Sequence, residues 1–365
     1  MTRVFFDSTP SLLSRYSGVG NVGVQYFLAM KRFAETIEPV FLYKRSSAVK
    51  QENIDFQRRF GCEPLQSYNP YLSFGLLKQS SVFHSLYHKL PVLPFRTKIL
   101  HVNDIWTIRK NPYQSSHFQK NQSKKLRRLI KRADLYTVLS ETVKDEMISE
   151  LGIEPSRITV IGYGCNKTPL PRADESAEPA PESFSENELK NTKYVLFVGR
   201  IEPRKNIEHT VNAVKNIKDL KLVVVGKGGF SGRKIIEENF RQLERENRLV
   251  WFEQIDQKSL NFLYQHAFAF LAPSWEEGLG IPLLEAMNCS IPVITANVSA
   301  SSEVVDYGGY LVDPKHWEES AHFLEELLKD PSLRAEYCQK AQRRSGDFTW
   351  ELVAGRLEQL YKNAG

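Results

Sequence analysis

Residues 273–297 read PSWEEGLGIPLLEAMNCSIPVITAN and contain two glutamates, Glu277 and Glu285, eight positions apart. Pro282 is expected to be the first residue of a helix, where its missing N–H is not needed. The residues that follow Pro282 are good helix formers. Glu277 is therefore predicted on a glycine-rich loop before this helix, and Glu285 just past its first turn.

This arrangement brings free backbone N–H groups, the positive end of a helix and two carboxylates to one small region. The N–H groups at the start of a helix can hold an anion. Ionised carboxylates only accept hydrogen bonds, so they suit sugar or ribose hydroxyls, which can donate. A capped helix with two solvated glutamates is the alternative. The predicted ligand-binding positions are Glu277, Gly278, Leu279, Gly280 and Glu285.

The composition is that of a soluble globular protein large enough for two domains, with 365 residues, 41% hydrophobic and 25% charged. Apolar runs fall far short of the ~20 residues of a membrane span, and no secretory apolar segment opens the sequence. Four cysteines without paired spacing disfavour disulfides and zinc sites. A cytoplasmic location is predicted.

Charge is divided unevenly along the chain. Residues 1–165 carry 24 Lys and Arg against 13 Asp and Glu, whereas the remainder carries 25 against 30. A basic first half suggests an anionic partner, which could be phosphate, a membrane surface or nucleic acid.

Strand and helix patterns alternate in two series, and a stretch rich in Pro, Glu and Ser separates them. We assign residues 1–170 to the first domain, 171–192 to an acidic linker, 193–345 to the second domain and 346–365 to a final helix. The predicted fold class is α/β, with two doubly wound Rossmann-like domains facing a cleft.

Two further segments have the composition of phosphate-binding loops. Near the start of the chain, the strand VFFD, the loop SRYSGVGNVG and the helix VQYFLAMKRFA resemble the opening of a βαβ unit. Gly18 and Gly20 in that loop would let backbone approach a phosphate, although a plain tight turn is the alternative. In the second half, Arg200 and Lys205 follow the buried strand YVLFVG, and two cations there suit a diphosphate better than a solvated surface loop.

The pattern Glu-Gly-x-Gly-x-Pro-x-x-Glu-Ala-Met, followed by Pro-Val-Ile, resembles the signature of the retaining GT-B glycosyltransferases of family 4. The loop with Arg200 and Lys205 is similar to that family's Gly-Arg-x-x-x-x-Lys-Asn. The resemblance is in register over residues 194–317 and looser over 1–165. It implies a GT-B fold in which the first domain binds the acceptor, the second binds a nucleotide sugar, and the last helix crosses back to the first domain.

The activity that the resemblance implies is transfer of a hexose from a nucleoside-diphosphate sugar to a saccharide or lipid-linked acceptor, with retention of configuration. Arg200, Lys205 and the N–H groups near Gly18 and Gly20 would stabilise the departing diphosphate. Glu277 would contact the transferred sugar. No cofactor is implied, because the donor is a substrate; GDP-mannose is favoured and a UDP-sugar is the alternative.

The remaining implied roles are less central. Glu285 would bind the ribose hydroxyls. Asp104, at the end of the strand KILHVND, is a candidate for orienting the acceptor or accepting its proton, and helix capping is the alternative. His84 and His88 have the spacing of two metal ligands on a helix, but a place for His84 in an acceptor-facing loop is favoured. No Asp-x-Asp motif occurs, which fits metal-independent transfer.

Residues 120–132 form a basic amphipathic stretch. Lys120, Lys124, Arg127 and Lys131 line one stripe of the predicted helix, with leucines opposite. A solvated helix is one interpretation. Contact with an anionic membrane surface is the other, and it would make the protein peripheral at the inner face of the membrane. Nucleic acid is disfavoured, because the stretch lacks a recognised module and interleaved aromatic residues.

Two other classes of function compete with glycosyl transfer. A nucleotide-sugar epimerase would convert the nucleotide sugar with no acceptor present. A non-catalytic carbohydrate-binding protein would bind the donor tightly without transfer or hydrolysis. A nicotinamide oxidoreductase is disfavoured, because the strongest motifs lie away from the glycine loop.

Overall fold

The chain divides into two compact units of alternating strands and helices. The first comprises residues 1–111, 115–174 and 348–365, and the second comprises residues 112–114 and 175–347. The computed structural model describes residues 2–7, 18–44, 66–68, 82–86, 90, 95–109, 116–165, 185–229 and 231–364.

Each unit contains one sheet in the part of the chain that the structure describes. The strands of the first unit are β1 (Thr2–Asp7), β2 (Ile37–Lys44), β3 (Gln66–Tyr68), β4 (Val82–Ser85), β5 (Thr97–Val102), β6 (Leu135–Val138) and β7 (Ile158–Val160). Those of the second are β8 (Tyr194–Val198), β9 (Lys221–Val225), β10 (Leu249–Phe252), β11 (Ala269–Ala272), β12 (Val293–Ala296) and β13 (Tyr310–Val312).

The two sheets have the same kind of strand order. The first runs β3-β2-β1-β4-β5-β6-β7 and the second runs β10-β9-β8-β11-β12-β13. All paired strands are parallel. Each order reverses once, between the first and fourth strand of its unit, which is the doubly wound Rossmann arrangement. The predicted α/β class, with two doubly wound Rossmann-like units, is confirmed.

Helices connect these strands. They are α1 (Gly18–Phe33), α2 (Ser116–Ile130), α3 (Glu141–Leu151), α4 (Glu186–Lys190), α5 (Ile207–Lys215), α6 (Gly232–Asn239), α7 (Arg241–Arg245), α8 (Gln257–His266), α9 (Ile281–Asn288), α10 (Ser299–Val305), α11 (Trp317–Lys329), α12 (Pro331–Ser345) and α13 (Trp350–Ala364). The helical pattern over residues 233–246 becomes two helices on either side of Phe240, which is buried and lies edge-on to Trp251.

Most residues of the central strands in both units are buried, as expected for parallel strands covered on two faces. All four residues of β4, β11 and β12 are buried. In the first unit, Phe5, Phe83, Leu100, Val102 and Tyr136 belong to one apolar cluster. The continuous apolar runs of the sequence therefore become the two sheet cores.

His84 has a different place from the predicted one. It lies in strand β4, so helical spacing to His88 does not apply, and His88 lies outside the described residues. The ring is buried, with Nδ1 2.6 Å from the Tyr361 hydroxyl and Nε2 2.8 Å from Thr137 Oγ1. Burial and the neighbouring His101 lower the pKa of His84 well below its ordinary value. The predicted position in an acceptor-facing loop is wrong, since His84 is a neutral core residue.

The final helix, α13, packs within the first unit although it follows the second unit in sequence. Trp350 at its start lies edge-on to Tyr26 of α1, with ring centroids 6.3 Å apart. Glu358 accepts a hydrogen bond from the Thr36 backbone N–H at 2.9 Å, and the Tyr361 hydroxyl contacts His84. This helix therefore completes the core beside β1 and β4.

Candidate active site

The second sheet reverses its order between the neighbouring strands β8 and β11. Ligands of open parallel sheets bind outside the carboxyl ends of the strands, at such a reversal. The loop after β8 contains residues 199–206, and the loop after β11 contains residues 273–280. These are the two segments that the sequence motifs mark, and the topology brings them to the same sheet edge.

The loop after β8 places Lys205 at the end of a short 3₁₀ turn, Pro203–Lys205. Asn206 follows with a left-handed backbone (φ 52°) and leads into α5. Its side-chain amide donates to the carbonyl oxygens of Pro273 at 3.1 Å and Pro314 at 2.9 Å. Asparagine tolerates this conformation and here fastens the end of the turn to the loop after β11.

Glu277 is the centre of the hydrogen-bond cluster at this edge. Lys205 Nζ and Ser274 Oγ both donate to Oε1, the serine at 2.8 Å, and Arg204 Nη1 lies 3.4 Å from Oε2. The Glu277 backbone N–H donates to Ser299 Oγ at 3.1 Å. The Lys205 and Glu277 side chains are only 14% and 13% exposed, so their charges are largely shielded from solvent.

The two cations decide the protonation of this carboxyl group. Burial by itself would raise the pKa of Glu277, but Lys205 and Arg204 outweigh it and lower that pKa to about 2. Burial lowers the pKa of Lys205, while Glu277 opposes that shift. Glu277 is therefore ionised throughout the neutral pH range.

Gly280 shapes the entrance to helix α9. Its backbone is left-handed (φ 91°), and a Cβ at this position would lie 2.6 Å from Leu283 Cδ1. A larger residue would be strained in this left-handed backbone and would also displace the Leu283 side chain. Helix α9 begins at Ile281, so Pro282 is its second residue rather than its first. A small cavity opens here, lined by Phe197, Val198, Lys205, Ala272, Ser274, Glu277, Gly280, Pro282 and Leu283.

Glu285 is held separately from Glu277. It lies on α9, as predicted, and accepts a hydrogen bond from the buried Tyr264 hydroxyl at 2.9 Å. This contact ties the Glu285 carboxylate to Tyr264 on α8.

Arg200 and Arg204 lie on the same loop but have different surroundings. Arg200 is exposed and makes no hydrogen bond or ion pair within the described residues. Arg204 contacts Glu277, and it does not belong to the family pattern, so sequence reasoning missed it. Pro203 is the one sequence feature that could have indicated Arg204. Proline favours a tight turn, and the turn Pro203–Lys205 brings the side chains of Arg204 and Lys205 to Glu277.

The candidate site residues of the first unit are Gly18, Gly20 and Asp104. Helix α1 begins at Gly18, so Gly18 and Gly20 lie in its first turn and not in the predicted loop before a helix. Backbone N–H groups of a first helical turn lack intrahelical acceptors, so they keep the capacity to bind an anion. Asp104 follows β5 by two residues and is partly buried. Its role towards the acceptor stays a prediction.

Helix α2 carries the predicted basic stripe. Lys120, Lys124, Arg127 and Lys131 are all exposed, whereas Leu126 on the opposite side is buried. Lys131 follows the last residue of the helix. Across the described ranges, no helix is both long and apolar enough to cross a membrane. In the same ranges, no three His, Cys, Asp or Glu side chains are grouped as a metal site.

Two protein families match this chain. The sequence model described as Glycosyl transferases group 1 matches residues 180–344, and that of Glycosyltransferase Family 4 matches residues 77–168. The O-antigen chain mannosyltransferase B of Escherichia coli is 28% identical over 66% of this chain and 63% of its own length. O-antigen chain mannosyltransferase RfbU of Salmonella typhimurium is 27% identical over 70% of this chain and 67% of its own length. The first of these relatives is thus matched over less than two thirds of its length.

Solved structures agree on the fold. Sucrose-phosphate synthase from Thermosynechococcus elongatus has a TM-score of 0.74 at 19% identity, covering 100% of this chain and 99% of that one. HepE of Anabaena in complex with UDP-glucose has a TM-score of 0.71 at 16% identity, with 100% of each chain covered. These structures show that the chain has the GT-B fold. Its sequence is similar to glycosyltransferase families over residues 77–168 and 180–344.

Proposed function

We propose that this chain transfers a hexose from a nucleoside-diphosphate sugar to a saccharide or lipid-linked saccharide, with retention of anomeric configuration. The observation that carries the proposal is the Lys205–Glu277 pair at the reversal of the second sheet, beside the start of α9. Mannose from GDP-mannose is favoured, because two relatives are named O-antigen chain mannosyltransferases. Structures of HepE from Anabaena hold UDP or UDP-glucose, so a UDP-sugar is the alternative donor.

The donor diphosphate would lie against Lys205, Arg200 and the N–H groups that begin α9. Arg200 is exposed and unpaired in the described structure, so it can turn to a phosphate without breaking a contact. Lys205 already has a partner, so binding of the diphosphate would exchange part of its contact with Glu277 for a phosphate oxygen. Preorganised cations of this kind commonly supply the largest share of barrier lowering.

Transfer would proceed on one face of the sugar. The bond between the anomeric carbon and the phosphate oxygen breaks while the acceptor hydroxyl oxygen bonds to the same face of that carbon. The hydroxyl proton passes to the departing phosphate oxygen. Glu277, ionised and shielded from solvent, would bind the sugar and stabilise positive charge at the anomeric carbon. Glu285 would bind ribose hydroxyls, and Asp104 would orient the acceptor.

Nucleoside diphosphates should raise the melting temperature of this protein. A ligand at about 100 times its Kd stabilises the folded state by about 2.7 kcal/mol, which is a shift of several degrees for a domain of this size. A thermal-shift panel of GDP, UDP and ADP, with inorganic phosphate as the control, would rank the bases. The proposal fails if all nucleotides shift the melting temperature no more than phosphate does.

We also propose that the basic face of α2 contacts an anionic membrane surface, where a lipid-linked acceptor would be present. Each basic residue near such a surface contributes about 1 kcal/mol, so the Lys124→Ala/Arg127→Ala double variant should bind roughly 30-fold more weakly. Cosedimentation with phosphatidylglycerol vesicles measures this. Lys234→Ala/Lys329→Ala, on exposed second-unit helices, is the matched control. Equal binding of wild type to neutral phosphatidylcholine vesicles contradicts the proposal.

A further inference from the structure

Arg204 makes more contacts between the two site loops than any motif residue does. Its Nη1 donates to the Glu276 carbonyl oxygen at 2.6 Å and lies 3.4 Å from Glu277 Oε2. Its Nη2 donates to Glu202 Oε1 at 3.0 Å. Its own carbonyl oxygen accepts from the Trp275 backbone N–H at 2.9 Å. One residue of the loop after β8 thus engages three successive residues of the loop after β11.

The charges around Glu277 are balanced only while both cations are present. Its charged neighbours at ion-pair distance, in the described structure, are Lys205 and Arg204, both from the loop after β8. Ser274 on its own loop and Ser299 on α10 contribute neutral hydrogen-bonding groups. Glu202 shares Arg204, so the cluster holds two carboxylates and two cations.

Donor binding would change that balance. In the proposed function, the Lys205 ammonium group shares its interaction between Glu277 and the diphosphate. The diphosphate also brings negative charge next to Glu277. A shielded carboxylate that loses its cation is strongly disfavoured. Arg204 does not face this competition to the same degree, because its fork is anchored to the Glu276 carbonyl and to Glu202.

We infer that Arg204 is a positioning residue, which holds the Glu277 carboxylate and its loop in place while Lys205 binds the donor diphosphate. This inference rests on the proposed function. Arginine suits the task because its planar fork reaches a backbone carbonyl and a carboxylate at once, whereas a lysine ammonium is a single point charge.

The test compares Arg204→Gln, Arg204→Lys and the control Arg334→Gln. Like Arg204, Arg334 is a partly buried arginine of the second unit whose side chain donates to backbone carbonyls, in this case those of Phe268 and Ala267. It lies outside the site cluster. Arg204→Gln should lower kcat about 100-fold, the usual cost of small misplacement of a reacting group, with a much smaller change in donor KM. Arg334→Gln should leave both near wild type.

The pH dependence of kcat separates this role from a merely structural one. With Lys205 drawn to the phosphate and Arg204 removed, the pKa of Glu277 in the donor complex rises, so the acid limb of kcat moves to higher pH. Arg204→Lys keeps the charge, so its acid limb should stay near that of wild type while kcat falls about tenfold for loss of the fork.

Two results would overturn the inference. One is a kcat for Arg204→Gln and Arg204→Lys equal to that of Arg334→Gln. The other is an acid limb that Arg204→Gln leaves in place. If Arg204→Gln fails to fold, a wild-type kcat in Arg204→Lys is by itself enough to overturn the inference. A wild-type protein that transfers no sugar from any nucleoside-diphosphate sugar overturns the proposed function, and this inference with it.

Discussion

The Lys205→Ala variant should lose about 10²–10³-fold in kcat, the usual cost of removing one group that stabilises developing negative charge. Lys205 is a shielded cation at the sheet reversal, and the departing diphosphate gains negative charge in the transition state. Affinity for the nucleoside diphosphate should fall as well, because the same ammonium binds the ground-state phosphates. Steady-state rates with a labelled nucleotide sugar, together with nucleotide titration, measure both effects.

The control for this variant is Lys221→Ala. Lys221 begins β9 and pairs with the exposed Glu188 at 3.1 Å, away from the site loops. It should keep wild-type rates and wild-type nucleotide affinity. The assignment of Lys205 is wrong if Lys205→Ala is folded, by its thermal unfolding, and transfers sugar as fast as Lys221→Ala.

The Glu277→Gln variant should separate binding from chemistry. Glutamine keeps the shape of the side chain but not its charge, so stabilisation of the anomeric centre is lost and kcat should fall about 10²–10³-fold. Lys205 and Arg204 would no longer be neutralised by this carboxylate. The nucleoside diphosphate should therefore bind at least as tightly as it binds wild type.

This opposite movement of affinity and rate is the distinguishing result. Isothermal titration with the nucleoside diphosphate gives the affinity, and initial rates with saturating donor give kcat. Glu318→Gln, an exposed glutamate on α11, is the matched control and should match wild type in both. A Glu277→Gln protein that binds nucleotide well and retains most of its kcat would remove Glu277 from the proposed chemistry.

The fold and the two loops that hold Lys205 and Glu277 could be predicted because their signals are local. A buried apolar strand followed by a loop with Lys205, and another followed by a loop with Glu277, are each visible within a short window. Parallel strands then gather their carboxyl ends at one edge. The arginine that contacts Glu277 could not be identified in this way, because Arg200 and Arg204 are the same residue type on one loop. Their different places follow from the 3₁₀ turn Pro203–Lys205.

Other features depend on distant contacts that no local pattern carries. His84 sits in an apolar run compatible with strand or helix, and its partner Tyr361 is 277 positions away in sequence. Strands β3 and β13 have three residues each, too few to show an alternating period. Ser299, which accepts a hydrogen bond from the Glu277 N–H, begins helix α10 and lies 22 positions after Glu277.

Placement of α13 in the first unit also sets an order for folding during synthesis. Domains usually fold from the N-terminus as the ribosome releases them. Here β1–β7 emerge first, yet the surface of α1 that receives Trp350 and the ring of His84 that receives Tyr361 are completed only when residues 350–364 have been made. The second unit has every strand of its sheet before that point. The second unit is translated after β1–β7, yet it can reach its final structure before the first unit does, because the first unit still lacks α13.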